Sequence, residues 1–269
     1  MDDVLRRRSV GAPAARSTLL TVLGEFLLQR PDGAWQEALI AGLRLLGFTP
    51  SAARQAVVRS AREEWLEGER VGRRSRMRLT PRSAELLRDG ARRIYGFGEP
   101  VSWDGRWLLL VLRVPEPRRE LRHRLTTQLA WAGFGSLGGG LWITPHVDRE
   151  TRIHAEEPAQ LLTFRAEIGA LGGTEKVIAE AWDLPKLREH YEQFIEDFQR
   201  LRPRGGAGSF AAQTALVHAW RRFPFIDPDL PDDLLPRDWP RRRAHELFVD
   251  RHEKWAPAAQ RHFDELAAP

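Results

Sequence analysis

The chain contains no cysteine. Disulfides, thiolate metal sites and cysteine nucleophiles are excluded at once. Lysine is scarce too: apart from Lys176, Lys186 and Lys254, all the basic charge is arginine. No run approaches the roughly 18 apolar residues of a membrane-spanning helix. The charged start, Met1 to Arg16, lacks the apolar middle of a secretory signal. A cytoplasmic protein with no membrane partner is the expectation.

Catalytic motifs are missing as well. No serine occupies a G-x-S-x-G elbow, and His245-Glu246 has no second histidine at the H-E-x-x-H position. His146, Asp148 and His154 lie close together, as do His245 and His252, but without a known metal spacing. They read as surface or capping histidines. Gly133, Gly135 and Gly138 match G-x-G-x-x-G. A dinucleotide fingerprint follows a strand and opens a helix, whereas here a helical pattern precedes and a strand pattern follows, so these glycines read as a turn. The pairs Glu156-Glu157 and Asp232-Asp233 fall in polar segments and read as solvated. No catalytic residue, metal site or cofactor is expected.

What is present is unevenly distributed. Residues 1–98 hold 18 Lys+Arg and 11 Asp+Glu, a net of +7, while the remainder holds 24 and 26, a net of −2. All the excess positive charge therefore sits in the first third. A polyanion partner follows for that third, because phosphate neutralisation supplies most non-specific DNA affinity. The 269 residues leave room for two or three small domains. The ten tryptophans mostly belong to cores, with some available to wall a ligand pocket.

Residues 1–16 read as a basic arm with Arg6, Arg7 and Arg8 in a row. Ser17 is placed to cap a helix carrying Leu19, Leu20, Leu23, Phe26 and Leu27. Trp35, Leu39, Leu43 and Leu46 mark a second helix, stopped at Gly47. Thr49 and Pro50 open a third, running to about Trp65. Glu69 to Val71 and Ser75 to Leu79 read as strands around Gly72, and Thr80-Pro81 starts a fourth helix ending near Gly96. Three short helices and a hairpin predict a winged helix-turn-helix over residues 1–98. A mixed pattern follows: a strand at Trp107 to Val114, a helix at Arg118 to Ala132, a hairpin about Gly138-Gly139-Gly140 and a strand at Leu161 to Ile168. It predicts a ferredoxin-like α+β domain over residues 99–180. Residues 181–269 read as a helical C-terminal domain. There Leu187, Tyr191, Phe194, Ile195 and Phe198 form one stripe, Pro203 to Ser209 a flexible loop, Ala211 to Phe223 a helix, and Arg241 to Leu266 one or two more. The fold class is multidomain α+β.

On a helical wheel Ala53, Val57, Ser60 and Ala61 face the core from the third helix. Ser51, Arg54, Gln55, Val58 and Arg62 face outward, with Arg59 at the edge. Arginine grips guanine with two hydrogen bonds, glutamine does the same with adenine, and valine meets a thymine methyl. Ser51, in the first turn, suits a phosphate. Arg73, Arg74 and Arg76 of the wing are candidates for phosphates or an adjacent minor groove. The DNA-binding candidates are thus Ser51, Arg54, Gln55, Arg59, Arg62, Arg73, Arg74 and Arg76.

Three passages carry a family resemblance. They are Trp103-Asp104-Gly105-Arg106-Trp107, Leu141-Trp142-Ile143-Thr144-Pro145, and Asp227-Pro228-Asp229-Leu230-Pro231 through Leu234-Leu235-Pro236-Arg237-Asp238-Trp239-Pro240. With the order of segments, over roughly Ser17 to Leu266, the chain resembles the PaaX-type repressors of phenylacetic acid degradation. The resemblance implies a homodimeric repressor on a palindromic duplex operator, released by an aryl-acyl-CoA thioester such as phenylacetyl-CoA. The middle domain of such proteins is similar to CRISPR-adaptation endoribonucleases, which need an aspartate ending their first strand. Here that strand ends Arg113-Val114-Pro115, so nuclease activity is not carried over. A CoA thioester wants cations for its phosphates and an aromatic wall, and Trp220, Arg237 and Trp239 are the effector candidates. Two competing readings are a winged helix that docks protein, and a CoA-ester or nucleotide-processing enzyme fused to a DNA-binding module. The outward Arg/Gln face argues against the first, and the missing catalytic constellation against the second.

Overall fold

The structure, a computed structural model, describes residues 14–99, 102–153, 159–169, 171 and 173–268. The basic arm Arg6 to Arg8, His154 and the Glu156-Glu157 pair lie outside the described residues.

Helix α1 (Ala15–Val22) continues into one widened turn, Leu23–Leu27, where the Leu28 amide donates to the Leu23 carbonyl at 2.9 Å, five residues back. Ser17, expected as the cap, lies inside the first turn because the helix starts earlier; its hydroxyl accepts from Arg221 at 2.6 Å. A short strand, β1 (Ala34–Trp35), leads into α2 (Gln36–Leu45). Gly47, at φ +89°, turns the chain in a region where a side chain is strained. Helix α3 (Pro50–Arg62) opens as its sequence predicts: the Thr49 hydroxyl accepts from the Ala52 amide at 3.2 Å, and Pro50 fills the first turn. It ends short of Trp65, at Arg62, and Glu64 takes φ +58°. Strands β2 (Leu66–Val71) and β3 (Arg74–Leu79) form a hairpin around Gly72, and α4 (Pro81–Tyr95) starts on the Thr80 cap.

The chain continues through β4 (Trp107–Arg113), α5 (Arg119–Trp131), β5 (Gly135–Ser136) and β6 (Leu141–Thr144). A tight turn of helix, Val147–Arg152, precedes β7 (Gln160–Ala166). Then come α6 (Thr174–Ala181), α7 (Leu184–Gln199), α8 (Gly205–Trp220), the single turn α9 (Phe223–Ile226) and α10 (Arg241–Ala267). The Gly-rich segment expected as a loop is instead the start of α8. A Cβ on Gly206 would lie 3.0 Å from the Cβ of His262, so glycine there permits close helix approach rather than flexibility. From Gly208 to Val217 every residue of α8 is buried, which a helix reaches only when surrounded.

The chain divides into two compact units. The first takes residues 14–96, 194–221 and 243–268; the second takes residues 97–193 and 222–242. In the first, β1, β3 and β2 form an antiparallel sheet in that order, with Trp35 opposite Arg76 and Gly68 opposite Met77. Its core joins Leu19, Leu23, Phe26 and Leu27 to Leu39, Leu43 and Val57, and is completed by Phe210, Ala259 and Phe263 from α8 and α10. In the second unit the antiparallel sheet has the order β5-β6-β4-β7. Leu108, Leu110 and Leu112 of β4 pack on Leu121, Leu125 and Leu129 of α5. The opposite face, Trp107 and Ile143, packs on Ile178 and Leu230.

Candidate nucleic-acid interface

The wheel reading of α3 matches its burial, except that Ala61 is only half-buried and Ala56, not placed on the core face, is buried. Ala53, Ala56, Val57 and Ser60 are buried, whereas Ser51, Arg54, Gln55, Val58, Arg59 and Arg62 are exposed. The helix is therefore anchored along one side and presents a continuous polar row on the other. The row begins at a capped N-terminus, where free backbone amides favour an anion.

The hairpin arginines have more individual surroundings. Arg73 is exposed at the turn. Arg74 and Arg76 share one face of β3 with Trp35, as the cross-strand register requires. The Arg74 guanidinium lies 4.1 Å over the Trp35 ring and 3.8 Å from Glu37, and that of Arg76 lies 5.2 Å over the same ring. Arg78 pairs with Glu69 at 2.8 Å. Sequence reasoning saw Trp35 only as a helix-core position. The signal for its role as a platform, a tryptophan directly opposite an alternating arginine strand, exists only once the register is known.

The first unit also holds a buried carboxylate. Glu25 lies in the widened turn after α1 and accepts from Gln213 at 2.8 Å, from His252 at 2.8 Å and from Tyr95. Burial pushes its pKa up, but the hydrogen bond and charge of His252, with Tyr95 and Gln213, outweigh it and leave the carboxyl below its ordinary value. His252 is thus a structural partner, not the surface histidine expected.

The second unit contains a larger network built on the proline-rich stretch. The buried Asp227 accepts from the Tyr191 hydroxyl and from the Asp229 amide, the latter at 2.6 Å. The Arg241 guanidinium, 3 % exposed, reaches Asp229 at 3.3 Å and Asp232 at 2.7 Å. Arg149 donates to the carbonyls of Ala132 at 2.7 Å and Pro228 at 3.1 Å. His146 is buried, with Nε2 2.7 Å from the Asp229 carbonyl. Burial first, then the Arg149 charge, lowers its pKa to about 4. Burial raises Asp227, and raises Asp229 to about 6. Asp229 itself sits at φ +62°, so backbone and charge are both held against their local preferences. Asp232 is engaged by Arg241 rather than merely solvated, and His146 is a core group rather than a surface one. The glycines of the G-x-G-x-x-G match do serve turns and close approach: Gly133 takes φ +81°, and a Cβ on it would collide with Arg149.

The effector candidates fall in different units. Trp220 is 0 % exposed in the first, stacked 4.8 Å from Phe248, with its indole N–H donating to the Ile94 carbonyl at 3.1 Å. In the second, Arg237 is exposed, and Trp239 is half-buried under the Arg188 guanidinium at 5.2 Å. Arg188 is held there by Asp238 at 3.0 Å. Among the described residues no group of three or more His, Asp or Glu side chains is arranged to hold a metal ion, and no helix is long and apolar enough to cross a membrane.

Three family descriptions match successive parts of the chain. Residues 14–83 match the PaaX-like protein family, residues 100–174 the PaaX protein central Cas2-like domain, and residues 182–265 the PaaX-like protein C-terminal domain. Transcriptional repressor PaaX of Escherichia coli (strain K12) is 31% identical over 275 residues, covering 96% of this chain and 86% of that protein. The uncharacterized protein Rv0674 from Mycobacterium tuberculosis has a similar fold, with a TM-score of 0.62 at 23% identity over 95% of this chain and 99% of that one. Three consecutive family segments and near full-length identity to a curated member establish that the chain belongs to the PaaX family.

Proposed function

We propose that the protein is a DNA-binding transcriptional repressor that reads duplex DNA with α3. The observation that carries this is the exposed row Ser51, Arg54, Gln55, Arg59 and Arg62 on a helix whose other side is buried. In this reading Arg54 and Gln55 contact bases, while Ser51, Arg59 and Arg62 contact phosphates. The order α1-β1-α2-α3-β2-β3, with a sheet ordered β1-β3-β2, supports a winged helix-turn-helix. Arg73 at the wing tip, with Arg74 and Arg76 aligned on Trp35, then positions the domain on the backbone. The repressor name of the E. coli relative supports the same function.

The second unit supports a ferredoxin-like reading. Its sheet places the first strand, β4, between the fourth and third, with the second outermost. The tight turn Val147–Arg152 stands among the described residues where that fold has a second helix. As the family resemblance implies, we assign a homodimer on a palindromic operator and release by an aryl-acyl-CoA thioester such as phenylacetyl-CoA. Of the effector candidates, Arg237 stays exposed and Trp239 half-buried, whereas Trp220 is committed to core packing. Fluorescence anisotropy of operator-length duplex across a salt series tests the DNA reading. Binding should weaken linearly on a log–log plot, with a slope of about −0.9 per phosphate contact. A flat response would overturn it.

A further inference from the structure

The second unit has a groove of about 760 Å³ beside the β5-β6 hairpin, within the size range of small-molecule sites. Neither the network around Asp227 nor the Arg237–Trp239 stretch contributes to its lining. Leu112, Val114 and Pro115 give it an apolar side, and guanidinium, hydroxyl and amide groups line the rest. Arg113, at the end of β4, is exposed and has no ion-pair partner among the described residues. Arg122 of α5 donates to the Val114 carbonyl at 3.1 Å and lies 3.6 Å from Glu116. Ser136 and Thr126 add hydroxyls. The hairpin turns through Gly138, Gly139 and Gly140 at φ +80°, +59° and +85°. Among the described residues, the Gly139 and Gly140 amides donate to no other group. Among the described residues no carboxylate lines the groove, and Trp142 gives it one aromatic wall.

We infer that this groove is the small-molecule site of the second unit, and that its ligand is a nucleotide-sized organic phosphate. Arginine forks match phosphate oxygens two at a time, and successive unpaired amides in a left-handed turn add fixed donors. A neutral or cationic ligand would leave Arg113 unanswered, since Arg122 already has Glu116 and the Val114 carbonyl. A bare inorganic ion would fill a small part of the volume and ignore Trp142. This inference deepens the proposed function by moving the phosphate-binding role from Arg237 to Arg113 and Arg122, and it rests on that reading only in naming a CoA ester as the natural ligand.

Isothermal titration calorimetry on the full-length protein, in buffer free of sulfate and phosphate, tests it with adenosine 3′,5′-bisphosphate, pyrophosphate and unphosphorylated adenosine. The bisphosphate should bind saturably at one site per chain, pyrophosphate more weakly, and adenosine not at all. Arg113→Glu should weaken the bisphosphate by at least about tenfold, while Arg237→Ala leaves it unchanged. Because Arg113 is exposed and unpaired, the variant should keep the wild-type melting temperature, which calorimetric scanning checks. Absence of saturation at millimolar bisphosphate, equal binding by Arg113→Glu, or a loss confined to Arg237→Ala overturns the inference. So does preferential binding of single-stranded oligonucleotide in the groove, read as protection by the same variant. Release of operator duplex by phenylacetyl-CoA gives a separate arm. Release that Arg113→Glu does not impair refutes the groove and keeps the effector, whereas bisphosphate binding without release does the reverse.

Discussion

Replacing Phe210 with alanine perturbs the first unit at a point far from α3 in sequence. Phe210 is 0 % exposed, its ring centroid is 4.8 Å from that of Phe26 and 6.1 Å from that of Phe263, and Phe26 and Phe263 are themselves 5.4 Å apart. The packing is tight on a further side: a Cβ added to Gly42 of α2 would come within 3.1 Å of the Phe210 ring. Truncating a buried phenylalanine costs about 3–5 kcal/mol, because the transfer free energy is lost and a cavity remains. That is a large part of the roughly 5–15 kcal/mol that holds a native protein together. At about 2–4 °C per kcal/mol for a chain of this size, Phe210→Ala should lower the melting temperature by roughly 10 °C. Scanning calorimetry and duplex anisotropy in parallel give the readout. Duplex binding should be retained well below the lowered midpoint and disappear with unfolding. A protein consisting of residues 1–98 should show no cooperative melt, since it lacks Phe210, Ala259 and Phe263. A cooperative transition in that fragment, with a shift under about 2 °C for Phe210→Ala, would refute the reasoning.

Three further outcomes follow from local geometry. Arg54→Ala should cost about 1–3 kcal/mol of base discrimination, and competition between operator variants measures it; unchanged sequence preference would remove Arg54 from base reading. Tyr191→Phe deprives the buried Asp227 of a hydroxyl donor and should destabilise by about 1–3 kcal/mol in urea unfolding, whereas a neutral result would mean that the carboxylate is satisfied otherwise. His146 gives a pH dependence of definite sign. Its folded pKa of about 4 lies below the ordinary 6.5, so between those values the unfolded chain binds a proton that the folded protein rejects. Stability must fall as pH drops through that window, by at most about 3 kcal/mol. Asp229, raised to about 6 from 3.8, opposes this by holding a proton when folded. Urea midpoints at pH 7 and pH 5 should therefore separate more for wild type than for His146→Asn, and equal separations would exclude His146 as the source.

Local chemistry made some elements legible and left others hidden. Thr49-Pro50 and Thr80-Pro81 announce helix starts because a hydroxyl acceptor and a missing amide suit the first turn wherever they occur. The α7 stripe of Leu187, Tyr191, Phe194, Ile195 and Phe198 is buried throughout, as its period predicts. The outward and buried sides of α3 also follow from period alone. The glycines of Gly205 to Gly208 misled, because glycine marks flexibility and close packing with the same letter. The partners that complete the sites were not legible. Trp35 under Arg74 and Arg76, and Glu25 between Tyr95, Gln213 and His252, depend on strand register and on helices about 190 and 230 residues downstream.

By itself the sequence determined the starts of α3 and α4, the segregation of positive charge into residues 1–98, the family, and the face of α3 that meets solvent. Each depends on residues within a turn or two of one another, or on composition. Tertiary structure decided that the first core is closed by α8 and α10, that Asp229 and Asp232 of the proline-rich stretch pair with Arg241, and that Trp220 is a core residue. Those outcomes depend on which apolar faces find each other across long chain separations. Burial free energy is non-directional, so no local pattern encodes the choice of partner.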